Sequence, residues 1–166
     1  MLSAWQHKEL HVTGVKRPAA GVILAAAVAV VSSFEGTRLL PYRDPAGIET
    51  VCTGETQVAM HRYTAEQCAD MLRKHLSERY APPVVACTPS IASHPNAFVA
   101  ALDAAYNAGP AAYCRSPMAA RFNAGQWREG CDAFRGWRIT AGGKMLPGLV
   151  RRRNAESALC MKDVTT

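Results

Sequence analysis

From Arg17 to Glu35 no charged side chain intervenes, and residues Ala19 to Ser33 read AAGVILAAAVAVVSS. Unbroken apolarity over this length predicts a helix. Glu35-Gly36 marks its end, because glycine readily takes the conformation that closes a helix. The pattern then changes. Tyr42, Ile48, Thr50 and Val51 alternate with Pro41, Pro45-Ala46-Gly47 and Gly54, which predicts a short β-rich segment cut by turns. Helical spacing returns after Thr64, an N-cap followed by Glu66-Gln67 and then Cys68, Met71, Leu72 and Leu76. Pro82-Pro83 is expected to end that helix. Phe98, Val99, Leu102, Ala105 and Tyr106 place a central core helix over Asn96 to Asn107, with shorter helices over Pro117–Ala124 and Gln126–Trp137. The expected fold class is α+β, mostly α, with one small sheet.

The apolar segment is the least ordinary element. Fifteen helical residues reach about 23 Å, short of the roughly 30 Å hydrocarbon core of a bilayer. Six of those fifteen are alanine, so insertion would be marginal. Three readings compete: a cleaved signal peptide, since Ala27-Val28-Ala29 has the A-x-A form; a buried core helix; and an uncleaved, weakly held membrane anchor. Lys16 and Arg17 precede the segment, so a membrane-bound form would keep its N-terminus in the cytoplasm and export the rest. The anchor is the preferred reading.

Composition narrows the class. At 166 residues and 49% hydrophobic, the chain has room for one globular domain and too much apolar content for disorder. Its net charge of +6 suits an anionic partner such as a cell wall or membrane face. No DNA- or RNA-binding motif accompanies that charge, so nucleic acid is not an expected partner. Cys52, Cys68, Cys87, Cys114, Cys131 and Cys160 show no C-x-x-C spacing. Their even number and scatter favour three disulfides and an oxidising compartment. The pairing first expected is Cys114–Cys131, which brackets one short helical excursion, then Cys68–Cys87 and Cys52–Cys160. His7, His11, His61, His75 and His94 lack metal-ligand spacing, and neither metal nor cofactor is expected. Trp127, Trp137, Phe122 and Phe134 read as core. Arg151-Arg152-Arg153 reads either as a solvated basic helix face or as an attractor for an anionic wall.

Candidate chemistry lies just after the apolar run. A carboxyl group at the end of an apolar helix, Glu35, sits where desolvation favours the protonated form that a general acid needs. A second acid in a polar turn, Asp44, stays ionised. Two carboxyls in opposed environments are the minimum equipment for glycosidic bond cleavage. The arrangement Glu35, Asp44, Thr50, with Pro41-Tyr42-Arg43-Asp44 before the turn and Thr50-Val51-Cys52-Thr53-Gly54 after it, resembles the phage lysozyme family of muramidases (glycoside hydrolase family 24). Ala104-Ala105-Tyr106-Asn107-Ala108-Gly109 is similar to that family's aromatic-Asn-x-Gly segment. Gly136-Trp137 and the run from Gly142 to Glu156 resemble its C-terminal signature.

The resemblance implies a lysozyme-like fold with a β-hairpin lobe and a helical lobe. It implies hydrolysis of the β-1,4 bond after N-acetylmuramic acid in peptidoglycan, with Glu35 as general acid. Asp44 and Thr50 would position and activate water, with inversion. The family commonly has Gly-His-Thr where this chain has Gly54-Glu55-Thr56, which adds negative charge near the cleft. The apolar run is similar to the signal-arrest-release segments of some phage lysozymes. That implies a cytoplasmic tail (1–18), a releasable anchor (19–34) and a catalytic domain (35–166). The enzyme would wait inactive on the host inner membrane and act in the periplasm as a monomer, once a holin or pinholin depolarises the membrane. The anchor holds no cysteine and position 44 is Asp, so thiol exchange is not the expected trigger. Two rival readings are a tethered wall-binding module that has lost catalysis and a cationic membrane-disrupting protein.

Overall fold

A computed structural model describes residues 17–44 and 46–164 of the chain. The expected tail, 1–18, lies almost wholly outside the described residues. Helix α1 runs Arg17–Glu35 and stops where Gly36 adopts φ +75°, its N–H closing on the Ser32 carbonyl at 2.9 Å. Strands β1 (Arg38–Arg43) and β2 (Glu49–Cys52) form an antiparallel hairpin that pairs Tyr42 with Thr50 and is bulged between Arg38 and Tyr42. Helix α2 (Ala65–His75) opens on the expected cap: the Thr64 hydroxyl accepts from the Gln67 N–H, and the Gln67 side chain accepts from the Thr64 N–H.

Pro82-Pro83 does not end this helical run. A π-helical turn, Leu76–Tyr80, carries it into α3 (Ala81–Cys87), with the prolines in the first turn of the new helix. A first-turn N–H has no partner inside its own helix, so proline there forfeits nothing. Helices α4 (Pro95–Ala108) and α6 (Pro117–Asn123) lie close to the expected places, α7 (Trp127–Ala133) ends short of the expected Trp137, and α5 (Pro110–Cys114), which periodicity did not predict, stands between α4 and α6. A second small hairpin, β3 (Thr140–Ala141) with β4 (Lys144–Met145), leads into α8 (Pro147–Met161). The fold is therefore mostly helical with small β elements.

The core has two parts. The larger lies among the helices around α4, whose residues Ala97 to Ala105 are all buried. Helix α1 is one wall of it, burying Ile23, Ala27, Val28 and Val31 and packing chiefly on α4. In this state the apolar run is thus a core helix, and among the described residues no helix is long and apolar enough to cross a membrane. The smaller part joins Val51, Cys52 and Cys68 beneath the first hairpin, with Leu39, Met60 and Tyr63 around it. Phe122 and Phe134 are buried as expected, and Trp127 stacks between His94 and Phe122.

The disulfides are Cys52–Cys68, Cys87–Cys114 and Cys131–Cys160, so the number is as expected and every expected pair is wrong. Each bridge joins different elements: β2 to α2, α3 to α5, and α7 to α8. The expected pairs rested on distance along the chain. The actual ones follow which helix faces meet, a tertiary property.

Candidate active site

Glu35 is the last residue of α1, and its carboxylate meets α8. Arg152 Nη1 donates to Glu35 Oε1 at 2.5 Å, while the rest of that guanidinium is bound by α4: Nε donates to Asp103 Oδ2 at 2.9 Å and Nη2 to Asp103 Oδ1 at 2.8 Å. The Phe34 ring lies 5.1 Å from the same guanidinium. Burial by itself would loosen the guanidinium's hold on its proton. The carboxylates of Asp103 and Glu35 outweigh it and hold the guanidinium's proton more firmly than in an ordinary arginine. The apolar surroundings expected for Glu35 are not what the structure supplies. Its side chain is 34% exposed, faces a cation, and lines a cavity of about 430 Å³ with Thr37, Arg38, Tyr42, Cys52 and Thr53.

Asp44 sits at the tip of the first hairpin. Its Oδ1 accepts from the N–H groups of Ala46 and Ile48, each at 2.8 Å, the pattern by which aspartate organises a turn. Thr50 is buried on β2, and its hydroxyl donates to the Ile48 carbonyl at 3.0 Å. The two residues therefore converge on the Ile48 backbone, one at its N–H and one at its carbonyl. Neither borders the cavity that holds Glu35. Their hairpin contributes Tyr42 and Cys52 to that cavity's wall, and this is the structural link among the three residues.

A second cavity, of about 440 Å³, shares Gly54 with the first and extends it past Glu55, Thr56, Lys74, His75, Tyr80 and Tyr106. Gly54 adopts φ +93°, with the Tyr106 hydroxyl 3.9 Å from where a Cβ would stand. The Tyr106 phenol donates to the Thr53 carbonyl at 2.7 Å and so ties the helical lobe to the end of the hairpin. Burial pushes the phenols of Tyr106 and Tyr80 above their ordinary range, and nearby carboxylates add to this. Both remain protonated, and Tyr106 remains a donor. Glu55, the residue that departs from the family's pattern, is buried, with its Oε1 3.0 Å from His75 Nδ1.

The largest correction concerns the arginine run. Arg151 is exposed, whereas Arg152 and Arg153 are both buried and belong neither to a solvated face nor to a wall attractor. Arg153 donates to the Trp137 carbonyl at 3.0 Å, to Asn107 Oδ1 and to Glu156 Oε1. Burial, first of all, lifts the Glu156 carboxyl to about 9; the neighbouring Asp103 carboxylate adds to the rise and Arg153 works against it. Sequence reasoning missed Asp103, Arg152, Arg153 and Glu156 as a unit. One signal was available: Asp103 is the only charged residue in α4, and an isolated charge in an otherwise apolar helix announces a buried partner.

Known proteins similar to this chain share its fold. A family model described as phage lysozyme matches residues 32–156. The chain is 36% identical over 154 residues to a SAR-endolysin of Pseudomonas phage phiKMV, covering 89% of this chain and 94% of the relative. Among solved structures it is similar to the endolysin of Escherichia coli phage FAHEc1, with TM-score 0.64 and 26% identity over 82% of this chain and 90% of the other. It is equally similar to the muramidase domain of SpmX from Asticaccaulis excentricus, with TM-score 0.64 and 26% identity over 82% and 95% of the two chains. The family model spans most of the chain, and together with the phiKMV relative it shows that the chain belongs to the phage lysozyme family.

Proposed function

We propose that this lysozyme cuts the β-1,4 bond between N-acetylmuramic acid and N-acetylglucosamine in peptidoglycan, with inversion. The observation that carries the reading is the position of Glu35: at the end of α1, open to a cavity walled by the hairpin that carries Asp44 at its tip and Thr50 on β2. In this reading Glu35 gives its proton to the leaving glycosidic oxygen. Arg152 Nη1 then stabilises the carboxylate that remains, a charge that develops as the bond breaks. Both backbone contacts to Asp44 fall on Oδ1, so Oδ2 takes the proton of the attacking water. The Thr50 hydroxyl orients that water. No cofactor or metal enters.

The same proposal covers delivery. Residues 19–34 first lie in the host inner membrane, with 1–18 in the cytoplasm and 35–166 outside. Depolarisation by a holin or pinholin lets the segment leave the lipid, and it then packs as α1. Two things support this: the short, alanine-rich α1 buries only one face in the core, and the phiKMV relative bears the name SAR-endolysin. In the membrane-held form Glu35 cannot meet Arg152, so the cleft is incomplete until release.

The test is turbidity loss of outer-membrane-permeabilised Gram-negative cells, comparing wild type with Glu35→Gln. Clearing by wild type and a loss of about 10²–10⁴-fold in the variant is expected for removal of a general acid. Equal clearing by both overturns the catalytic reading. For delivery, fractionation should find full-length chain in the membrane pellet that becomes soluble on adding an uncoupler. A shortened N-terminus in the soluble pool would instead mean cleavage.

A further inference from the structure

Arg152 is shared unequally between two carboxylates. Asp103, fully buried, takes the Nε and Nη2 edge with both of its oxygens, and Glu35 receives Nη1 alone. A guanidinium facing a single carboxylate favours the ionised form of that carboxylate, which is the wrong form for an acid about to donate. A second, permanently buried carboxylate on the same guanidinium offsets this pull. It also prevents the planar fork from turning to grip Glu35 with two N–H groups, as arginine does wherever it is free to.

The other charged and titratable groups around the pair are engaged elsewhere. On β1, Arg38 lies over the Tyr42 ring, with its guanidinium carbon 4.4 Å from the centroid. Tyr80 in the π turn and Tyr106 on α4 are neutral phenols. On α8, Arg153 is committed to Glu156, Asn107 and the Trp137 carbonyl, and Arg151 points to solvent. Glu156 Oε1 stands 3.8 Å from Arg152 Nε, and its other oxygen has no hydrogen-bond partner. Asp103 is therefore the carboxyl group that meets Arg152 edge-on, with both of its oxygens.

We propose that Asp103 is a positioning residue for Glu35: it holds the Arg152 guanidinium with one N–H toward the cleft and offsets its charge, so that Glu35 keeps a transferable proton. This rests on the reading of Glu35 as general acid and deepens it.

The test uses the full, oxidised chain with Asp103→Asn, which keeps the shape and removes the charge. The alkaline limb of the turnover profile should move to lower pH by about one unit, with about tenfold less turnover above it and KM nearly unchanged. Carbon-detected NMR titration of the Glu35 carboxyl should show the same displacement of its midpoint. A merely structural role would lower turnover equally at every pH and leave both positions unchanged, which overturns the proposal. In an Arg152→Gln background the displacement caused by Asp103→Asn should vanish; if it persists at full size, Asp103 does not act through Arg152 and the proposal fails. Should Asp103→Asn not fold, Arg152→Lys serves instead. It keeps the charge but cannot bridge both carboxylates, so kcat should fall while KM holds; unchanged kcat overturns the proposal. The NMR midpoint does not depend on what Glu35 does in catalysis. Full activity of Glu35→Gln would therefore sink the acid assignment separately.

Discussion

The two sides of the cleft are held by opposite means. On the hairpin side, Asp44 and Thr50 are fixed by short bonds to backbone within a few residues, and the hairpin is stapled to α2 by Cys52–Cys68. On the helical side, Arg152, Arg153, Asp103 and Glu156 are buried, and their bonds to Glu35, Asn107 and one another reach from α8 to α1 and α4. The hairpin is a local device that backbone geometry sets. The charge cluster is a global device that exists only when three helices have packed. In the release proposed above, α1 would complete that device by bringing Glu35 to the Arg152 guanidinium that Asp103 also holds.

That contrast can be broken experimentally. Arg153→Met should have the largest effect on stability, about 3–5 kcal/mol in total, since Glu156, Asn107 and the Trp137 carbonyl each lose a buried donor; urea unfolding measures it. Arg43→Ala, which removes an exposed bond to the Gly47 carbonyl on the hairpin, should cost within about 0.5 kcal/mol. Equal costs would erase the distinction between the two sides. Next, removing the Cys52–Cys68 bridge by paired alanine substitution should cost about 2–4 kcal/mol. It should expose the hairpin amides to hydrogen exchange before those of α4, whereas removing Cys131–Cys160 should loosen α8 and α7 first.

A further effect concerns pH. Glu156 keeps its proton in the folded state up to about 9, whereas its ordinary value is 4.5. Between those values the unfolded chain has released a proton that the folded chain still binds, so rising pH favours unfolding across this window. Glu156→Gln should flatten that decline, read as urea midpoints that vary less with pH than in wild type. Smallest is Tyr106→Phe, which deletes the bond to the Thr53 carbonyl that straps one side to the other. It should cost about 1 kcal/mol and raise KM more than it lowers kcat.

Much was legible in the chain because short-range physics decides it. The capping box at Thr64, the end of α1 at Gly36 and the Asp44 turn each depend on residues within four positions, and all stand where periodicity and turn chemistry put them. The order of Glu35, Asp44 and Thr50 along the chain pointed to the family by resemblance of motif rather than by local physics. Pro82-Pro83 misled because proline stops a helix or starts one according to what precedes it, and here a π turn does.

What the sequence alone determined, then, is where most of the helices and the first hairpin lie, since these follow from backbone preferences and periodicity, and, through its resemblance to a family, which three residues to inspect. Tertiary structure decided the rest: which cysteines meet, which face of α1 is covered, and that Arg152 and Arg153 turn inward to Asp103 and Glu156. A charged side chain is written identically whether it faces water or a buried partner. Only the packing of α4 against α8 brings the partner, and with it the energy that makes burial of the charge stable.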